Sequence, residues 1–475
     1  MVSHRSERDL LGDVRVPADA LYGSFTVRAK ENFGISGLKI YEGFISTLAE
    51  VKKAAAQTNG DLGFLGGESL VAIRSATDEV ISGDHFAEFP LDVFQAGAGT
   101  AWNMNMNEVI ANRANQMLGS PLGTYRPVHP NDHVNLSQSS NDVIPNAMRV
   151  TTIKLTKGLI ESIIELEGSL LSKAEEFRAV RKSGRTHNRD AVPISLGQEF
   201  RAYASAISSS RERITQAVDS LRRLFLGGTA VGTGLNTHPE YPGIVLDHLK
   251  TITGLDLVLA ENFVEKTMFM TDFLYYLDAL AALSVDLVKI CGDLILLSSG
   301  PRTGLGEITL PEVEPGSSIM PGKVNPSILE SVSMVCLQVR GARATVEDAA
   351  KLGALNLNVF TPVIAFNTFT SARWLTNAIH ILTERCVSGI EVNLVATNYY
   401  FDYSNAIATL LNPVIGYEAA GELAKEALEK GAKIRDLIIE KGILTQGEID
   451  ELIEHSGEPN LHISRRITEE RRRKG

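Results

Sequence analysis

The chain has 475 residues, 44% of them apolar, and a formal net charge of -11. That length predicts a soluble globular protein with two or three domains around a large core. The acidic balance argues against nucleic acid or an anionic membrane as a general partner, because both need a basic field, so an anionic substrate must be met by local donors.

The first nine residues, Met1 to Asp9, carry no apolar h-region and predict no secretory signal. To about residue 140, shorter helical patterns alternate with Gly/Pro/Asn-rich loops, among them Gly97-Ala98-Gly99-Thr100 and Pro127 to Asp132. From Ala147 to Arg178, apolar residues recur at three- and four-residue spacing and predict a long amphipathic helix. The same periodicity runs over 198–224, 263–299, 326–350 and 359–387. Five helices of such length imply a bundle, and their broad apolar faces imply a helical core shared between copies of the chain. The stretch from Phe273 to Leu297 is interrupted by Asp278, Asp286, Lys289 and Asp293, so it reads as a bundle helix rather than a membrane span.

Beyond Val395 the helices shorten, as in Tyr417 to Gly431, and Leu444-Thr445-Gln446-Gly447-Glu448 gives a start signal. Arg471, Arg472, Arg473 and Lys474 lie beside Glu469 and Glu470 and read as a solvated helix end. Cys291, Cys336 and Cys386 lack metal or disulfide spacing and predict buried thiols in a reducing cytoplasm. The expected architecture is all-α (mainly α) in three segments: 1–140, mostly helical; 141–394, the five-helix bundle; and 395–475, a small helical domain.

Four polar clusters gather side-chain donors: Thr100 to Asn103, Ser137 to Asp142, Gly184 to Asp190, and Gly316 to Pro326. Singly, each has a plain structural reading: Ser139 to Asp142 precede a long helix and suit its N-cap, and a histidine in a polar loop is more often structural. Together they offer hydroxyls, amides, one imidazole and one cation, which suits a small substrate with carboxylates. The chain has no H-E-x-x-H, no phosphate-binding Gly-x-x-x-x-Gly-Lys-Ser/Thr and no Gly-x-Ser-x-Gly.

The segments GSSIMPGKVNP (316–326), GRTHNRDAVP (184–193), HPNDHVN (129–135) and SQSSND (137–142) resemble the fumarase/aspartase superfamily, and the likeness extends from residue 10 to residue 417. The resemblance implies a homotetramer with each active site drawn from three subunits and a small dicarboxylate substrate; the residues themselves offer no metal-ligand pattern and no nucleotide fingerprint, so neither metal nor cofactor is expected. It implies Ser317 as general base, with His187 polarised by Glu330. Thr100, Ser139, Ser140, Asn141, Thr186, Ser318, Lys323 and Asn325 match the family's substrate-binding positions. Arg126, His129, Asn131 and Asp132 match a second dicarboxylate site of fumarases, although the same residues suit a plain chain turn.

Such enzymes remove a proton next to a carboxylate, so the site must stabilise an aci-carboxylate. Local likeness is divided. QSSND, VHPNDHVN and EPGSSIMPGKVNP look like the fumarase branch, whereas FPLDVFQAGAGT (89–100), DAVPISLGQEFRAY and the C-terminal IRDLIIEKGILTQGEIDELI look like the aspartase branch. The Gly-Ala-Gly-Thr loop is the one expected to face the leaving group, which favours ammonia over water. Arg189, where the family usually has glutamine, and Trp102, where smaller residues are common, depart from the pattern. A non-catalytic relative would be signalled by loss of the base or the lysine, and Ser317, His187, Lys323 and Asn325 are all present.

Overall fold

A computed structural model describes residues 3–474. The fold is mainly α, as expected. A hairpin, β1 (His4–Asp9) and β2 (Gly12–Pro17), leads to α1 (Ser24–Asn32), α2 (Glu42–Asp61), α3 (Gly67–Ser82) and α4 (Thr100–Met117). Next come α5 (Ser140–Glu176), the hairpin β3 (Arg181–Thr186) and β4 (Arg189–Ser195), and α6 (Leu196–Asp219). Short strands β5 (Arg223–Leu224) and β6 (Val258–Leu259) flank α7 (Tyr241–Thr253) and pair in parallel. Then follow α8 (Phe263–Met268), α9 (Thr271–Leu297), β7 (Ile308–Thr309), α10 (Ser327–Lys351), α11 (Thr361–Arg385) and β8 (Glu391–Val392). The chain ends in α12 (Leu394–Tyr403), α13 (Ala406–Ile415), α14 (Tyr417–Lys430), α15 (Ile434–Glu440), α16 (Gln446–Glu454) and α17 (Leu461–Lys474).

The chain divides into two compact units, one of Met1–Glu161, Ser210–Ser284 and Val335–Thr376, the other of Ser162–Ser209, Val285–Met334 and Asn377–Gly475. These differ from the three segments expected above, because the long helices contribute residues to both units. In the first unit, Phe44 packs edge-on to Trp102, with ring centroids 5.4 Å apart, and lies 5.5 Å from Phe369. Trp102 is thus a core side chain, 4% exposed. In the second unit, the last helices close around their own apolar cluster, with Leu411, Ile438, Ile449 and Leu452 fully buried.

Two sequence expectations change. The stretch 263–299 is two helices, because Phe269 adopts an extended backbone after α8. The new helix then starts beside Asp272, whose Oδ2 accepts from Arg149 and Lys266 at 2.8 and 2.9 Å. The run Gly184 to Asp190 is a hairpin rather than a loop: Thr186 pairs with Arg189 around His187 and Asn188, at φ 55° and 56°. Positive φ at both central residues is the geometry of a two-residue turn matched to strand twist. Elsewhere the helix punctuation acts as expected: Thr445 and Glu448 form a reciprocal capping box at α16, and Gly431 ends α14 at φ 59°. Among the described residues no helix is long and apolar enough to cross a membrane.

Candidate active site

Thr100, Ser139, Ser140 and Asn141 belong to the first unit. Thr100 opens α4 directly after Gly99, which sits at φ 67°. A Cβ there would also lie 2.9 Å from Ile144, so both conformation and space require glycine. Ser139 is the N-cap of α5: its Oγ accepts from the Asn141 N–H at 3.2 Å, and its own N–H donates to Asp142 Oδ1 at 2.9 Å. This reciprocal pair makes the plain capping reading of Ser139 correct. The other Asp142 oxygen accepts from the Gly227 and Thr229 N–H groups at 3.0 Å each. The Asn141 amide donates to the Ala230 carbonyl at 2.8 Å. Burial raises the Asp142 carboxyl above its ordinary range, despite these bonds.

A buried network lies under this helix start. Lys52 of α2 is fully buried, and its Nζ donates to Asn135 Oδ1 at 2.9 Å and Gln138 Oε1 at 3.0 Å. The Asn103 amide donates at 3.1 Å both to Asn135 Oδ1 and to Ser140 Oγ, tying α4 to α5. Burial pulls the Lys52 ammonium down to about 7, opposed by the charge of Asp142. The sequence reading passed over Lys52 as a candidate. Its signal in the sequence is weak, because the surrounding run Leu48 to Ala56 of α2 is mostly apolar but also carries Glu50 and Lys53.

Thr186, His187, Ser317, Ser318, Lys323, Asn325 and Glu330 belong to the second unit. Thr186 and His187 are exposed at the β3–β4 turn. The base of that hairpin is fixed: Glu307, fully buried, accepts from Arg185 at 2.7 and 3.1 Å and lies 2.9 Å from Lys182. Burial pushes the Glu307 carboxyl up, but the bonds and charges of Arg185 and Lys182 outweigh it and hold it below its ordinary value. His187 and Glu330 are both exposed, and among the described residues no hydrogen bond or ion pair joins them. Arg189 is exposed in the same hairpin.

The segment from Gly316 to Asn325 is closed on itself. The Gly316 N–H donates to the Lys323 carbonyl at 2.9 Å, and the Asn325 amide donates to the Gly316 carbonyl at 2.5 Å. Inside this loop, Ser317 Oγ accepts from the N–H groups of Ile319 at 3.2 Å and Met320 at 2.9 Å. Two amide donors aimed at one hydroxyl oxygen favour its ionised form, which is what a serine needs to act as a base. Ser318, Ile319, Met320 and Lys323 are exposed. A cavity of about 260 Å³ borders Lys323 and Asn325 but neither Ser317 nor Ser318.

Arg126, Asn131 and Asp132 are exposed in the first unit, in and just before a single π-helical turn, Pro130–Val134. His129 caps that turn, its Nδ1 accepting from the Asn131 and Asp132 N–H groups at 3.2 Å each. The ring therefore has a structural task in the chain turn.

The sequence model of the Lyase family matches residues 12–341, and that of the fumarase C C-terminus matches 407–456. An aspartate ammonia-lyase of Bacillus sp is 44% identical over 449 residues, 94% of this chain and 96% of that protein. A class II fumarate hydratase of Halobacterium salinarum is 46% identical over 455 residues, 96% of this chain and 97% of that protein. Among solved structures, the fumarate lyase:delta crystallin from Brucella melitensis bound to cobalt superposes with a TM-score of 0.93 at 44% identity, covering 96% of this chain and all of that one. Recombinant class II fumarase from Schistosoma mansoni gives 0.91 at 36% identity, covering 96% of this chain and 99% of that one. By family model, sequence and fold, the chain belongs to the fumarase/aspartase superfamily of lyases.

Proposed function

We propose that the protein is an aspartate ammonia-lyase that converts L-aspartate reversibly to fumarate and ammonia. The observation that carries the chemistry is the pair of N–H groups on Ser317 Oγ. They stabilise the serine alkoxide that takes the proton from the carbon beside a carboxylate. The aci-carboxylate that results gathers two negative charges, and the hydroxyls of Ser139 and Ser140 with backbone amides of the Gly316 to Pro326 loop, closed over the substrate as a lid, supply the donors for it. Lys323, Asn325, Thr186 and Ser318 hold the other carboxylate and fix orientation. For Asn325 this role requires release of its bond to Gly316.

Thr100, Asn141 and His187 then surround the leaving group, with Glu330 polarising His187. Because among the described residues no hydrogen bond or ion pair joins the two, this pairing is assigned to the assembled homotetramer, in which three subunits complete each site. Large apolar side chains left exposed on the long helices support that assembly: Val285 at 52%, Met334 at 67% and Leu337 at 59%.

Ammonia is favoured as the leaving group by Gly97-Ala98-Gly99-Thr100, which looks like the aspartase branch and is held close to α5 through Gly99. A second reading, class II fumarate hydratase, is favoured by the 46% identity to the Halobacterium salinarum enzyme. The two differ in one assay, the ultraviolet absorbance of fumarate formed from L-aspartate and from L-malate by the purified protein. Faster production from L-aspartate is expected; equal or faster production from L-malate establishes the hydratase reading instead.

A further inference from the structure

We propose that Lys52 is a positioning residue that fixes the direction of the Ser140 hydroxyl through Asn135 and Asn103, so that its proton is offered to the substrate carboxylate. The proposal rests on the reading of Ser140 as a carboxylate ligand. Its starting point is that Lys52 Nζ, which keeps N–H donors whether or not it is protonated, donates to the two amide oxygens that face it. These are Asn135 Oδ1 at 2.9 Å and Gln138 Oε1 at 3.0 Å.

Both amides are then oriented, and their other ends agree. The Asn135 NH2 donates to the Gln138 carbonyl at 3.2 Å, and the Gln138 NH2 donates to the Val134 and Leu136 carbonyls at 3.0 Å each. Asn135 Oδ1, held toward the ammonium, can only accept, so Asn103 must present its NH2 to it, at 3.1 Å. The same Asn103 NH2 donates at 3.1 Å to Ser140 Oγ. A hydroxyl whose oxygen accepts from below must direct its own proton elsewhere. Among the described residues no acceptor takes that proton, which leaves it for a ligand.

The polarity of the chain is set at Asn135, whose Oδ1 accepts from Lys52 Nζ and, at 3.2 Å, from the Asn107 NH2, and whose own NH2 is tied to the Gln138 carbonyl; Lys52 holds Asn135 Oδ1 and Gln138 Oε1 together. Without Lys52 the Asn135 and Gln138 oxygens lose their shared buried donor, the hold of Asn135 on Asn103 loosens, and the Asn103 amide can turn its oxygen toward Ser140. The Asn103 oxygen, buried and unpartnered in the present arrangement, would then accept the Ser140 proton and withdraw it from the substrate. Lys52, Asn103 and Asn135 contact no expected reacting atom, so their effect on turnover passes through Ser140.

The test is a double-mutant cycle on the full-length protein with L-aspartate, and with L-malate if that proves the better substrate. Lys52→Met is expected to lower kcat/KM by about 10- to 100-fold, the range for a lost hydrogen bond to a charged group. Ser140→Ala alone should cause a loss of similar size, and the double variant little more than either. Independent, multiplying losses overturn the relay while leaving Ser140 a ligand. An unchanged kcat/KM and KM in Ser140→Ala overturns the Ser140 reading itself. A thermal midpoint for Lys52→Met close to that of the parent separates loss of orientation from loss of fold. Should Lys52→Met not fold, Asn103→Leu cuts the relay one step nearer the serine and enters the same cycle, with the same outcomes deciding it.

Discussion

The two regions that carry the candidate chemistry are built in opposite ways. At the start of α5 the N–H groups of Ser139, Asn141 and Asp142 are each tied to a neighbour, and buried Lys52 and Asp142 lie beneath. The Gly316 to Pro326 segment is closed mainly by its own bonds, with Ile319 82% and Met320 49% exposed. A surface that must receive charge without reorganising gains from the first construction. A segment that must admit substrate and then exclude water gains from the second. On the proposed reading the base, Ser317, lies on the loop and the oxyanion donors lie on the fixed part, so closure of the loop is expected to be a condition of turnover.

The largest expected effect removes the base. Ser317→Ala should lower kcat by about 1,000-fold or more, with the oligomer unchanged by light scattering; a variant that keeps most of its turnover shows that the base lies elsewhere. Next is Lys323→Ala, expected to raise KM and lower kcat together, because anchoring and transition-state charge share one contact. A rise confined to kcat or an unchanged KM removes the anchoring role.

A smaller effect separates loop conformation from loop contacts. Gly322 lies at φ 76° with nothing within 4 Å of an added Cβ. Gly322→Ala therefore introduces only the left-handed backbone penalty, about 1–2 kcal/mol. Turnover should fall several-fold while the thermal midpoint stays nearly constant; an equal loss in both would make the loop part of the rigid structure.

The smallest effect concerns the fixed part. Lys52 has a folded value of about 7 against an ordinary 10.5, so between those values the unfolded chain binds a proton that the folded chain has released. Stability linked to Lys52 therefore rises with pH across that window, and below about pH 7 the full burden of the buried charge is present. The thermal midpoint of the parent is thus expected to rise relative to that of Lys52→Met from pH 7 toward pH 10. A difference independent of pH means that Lys52 does not titrate there.

Much of this contrast was legible in the residues. Helical periodicity announced the long helices, and Gly316, Pro321 and Gly322 announced a loop among functional groups. The break at Phe269 was hidden because Phe269 and Met270 continue an apolar pattern that helix and extended chain share. The hairpin turn at His187 and Asn188 was hidden because neither residue demands positive φ in the way glycine does. The Lys52 network was illegible for a different reason: Lys52, Asn103 and Asn135 lie far apart along the chain and meet only through packing of α2, α4 and the π-helical turn. The proposed partnership of His187 with Glu330 is assigned to an assembly and so is not visible in one chain.

The claim that the base travels on a moving segment while its partner surface is already set is tested most directly by amide hydrogen exchange, with and without a saturating dicarboxylate. Slow exchange at Asn141, Asp142 and Val143 in both states is predicted, together with fast exchange at Ile319, Met320 and Lys323 that slows at least several-fold on binding. Equal exchange in the Gly316 to Pro326 segment with and without the dicarboxylate would contradict the account.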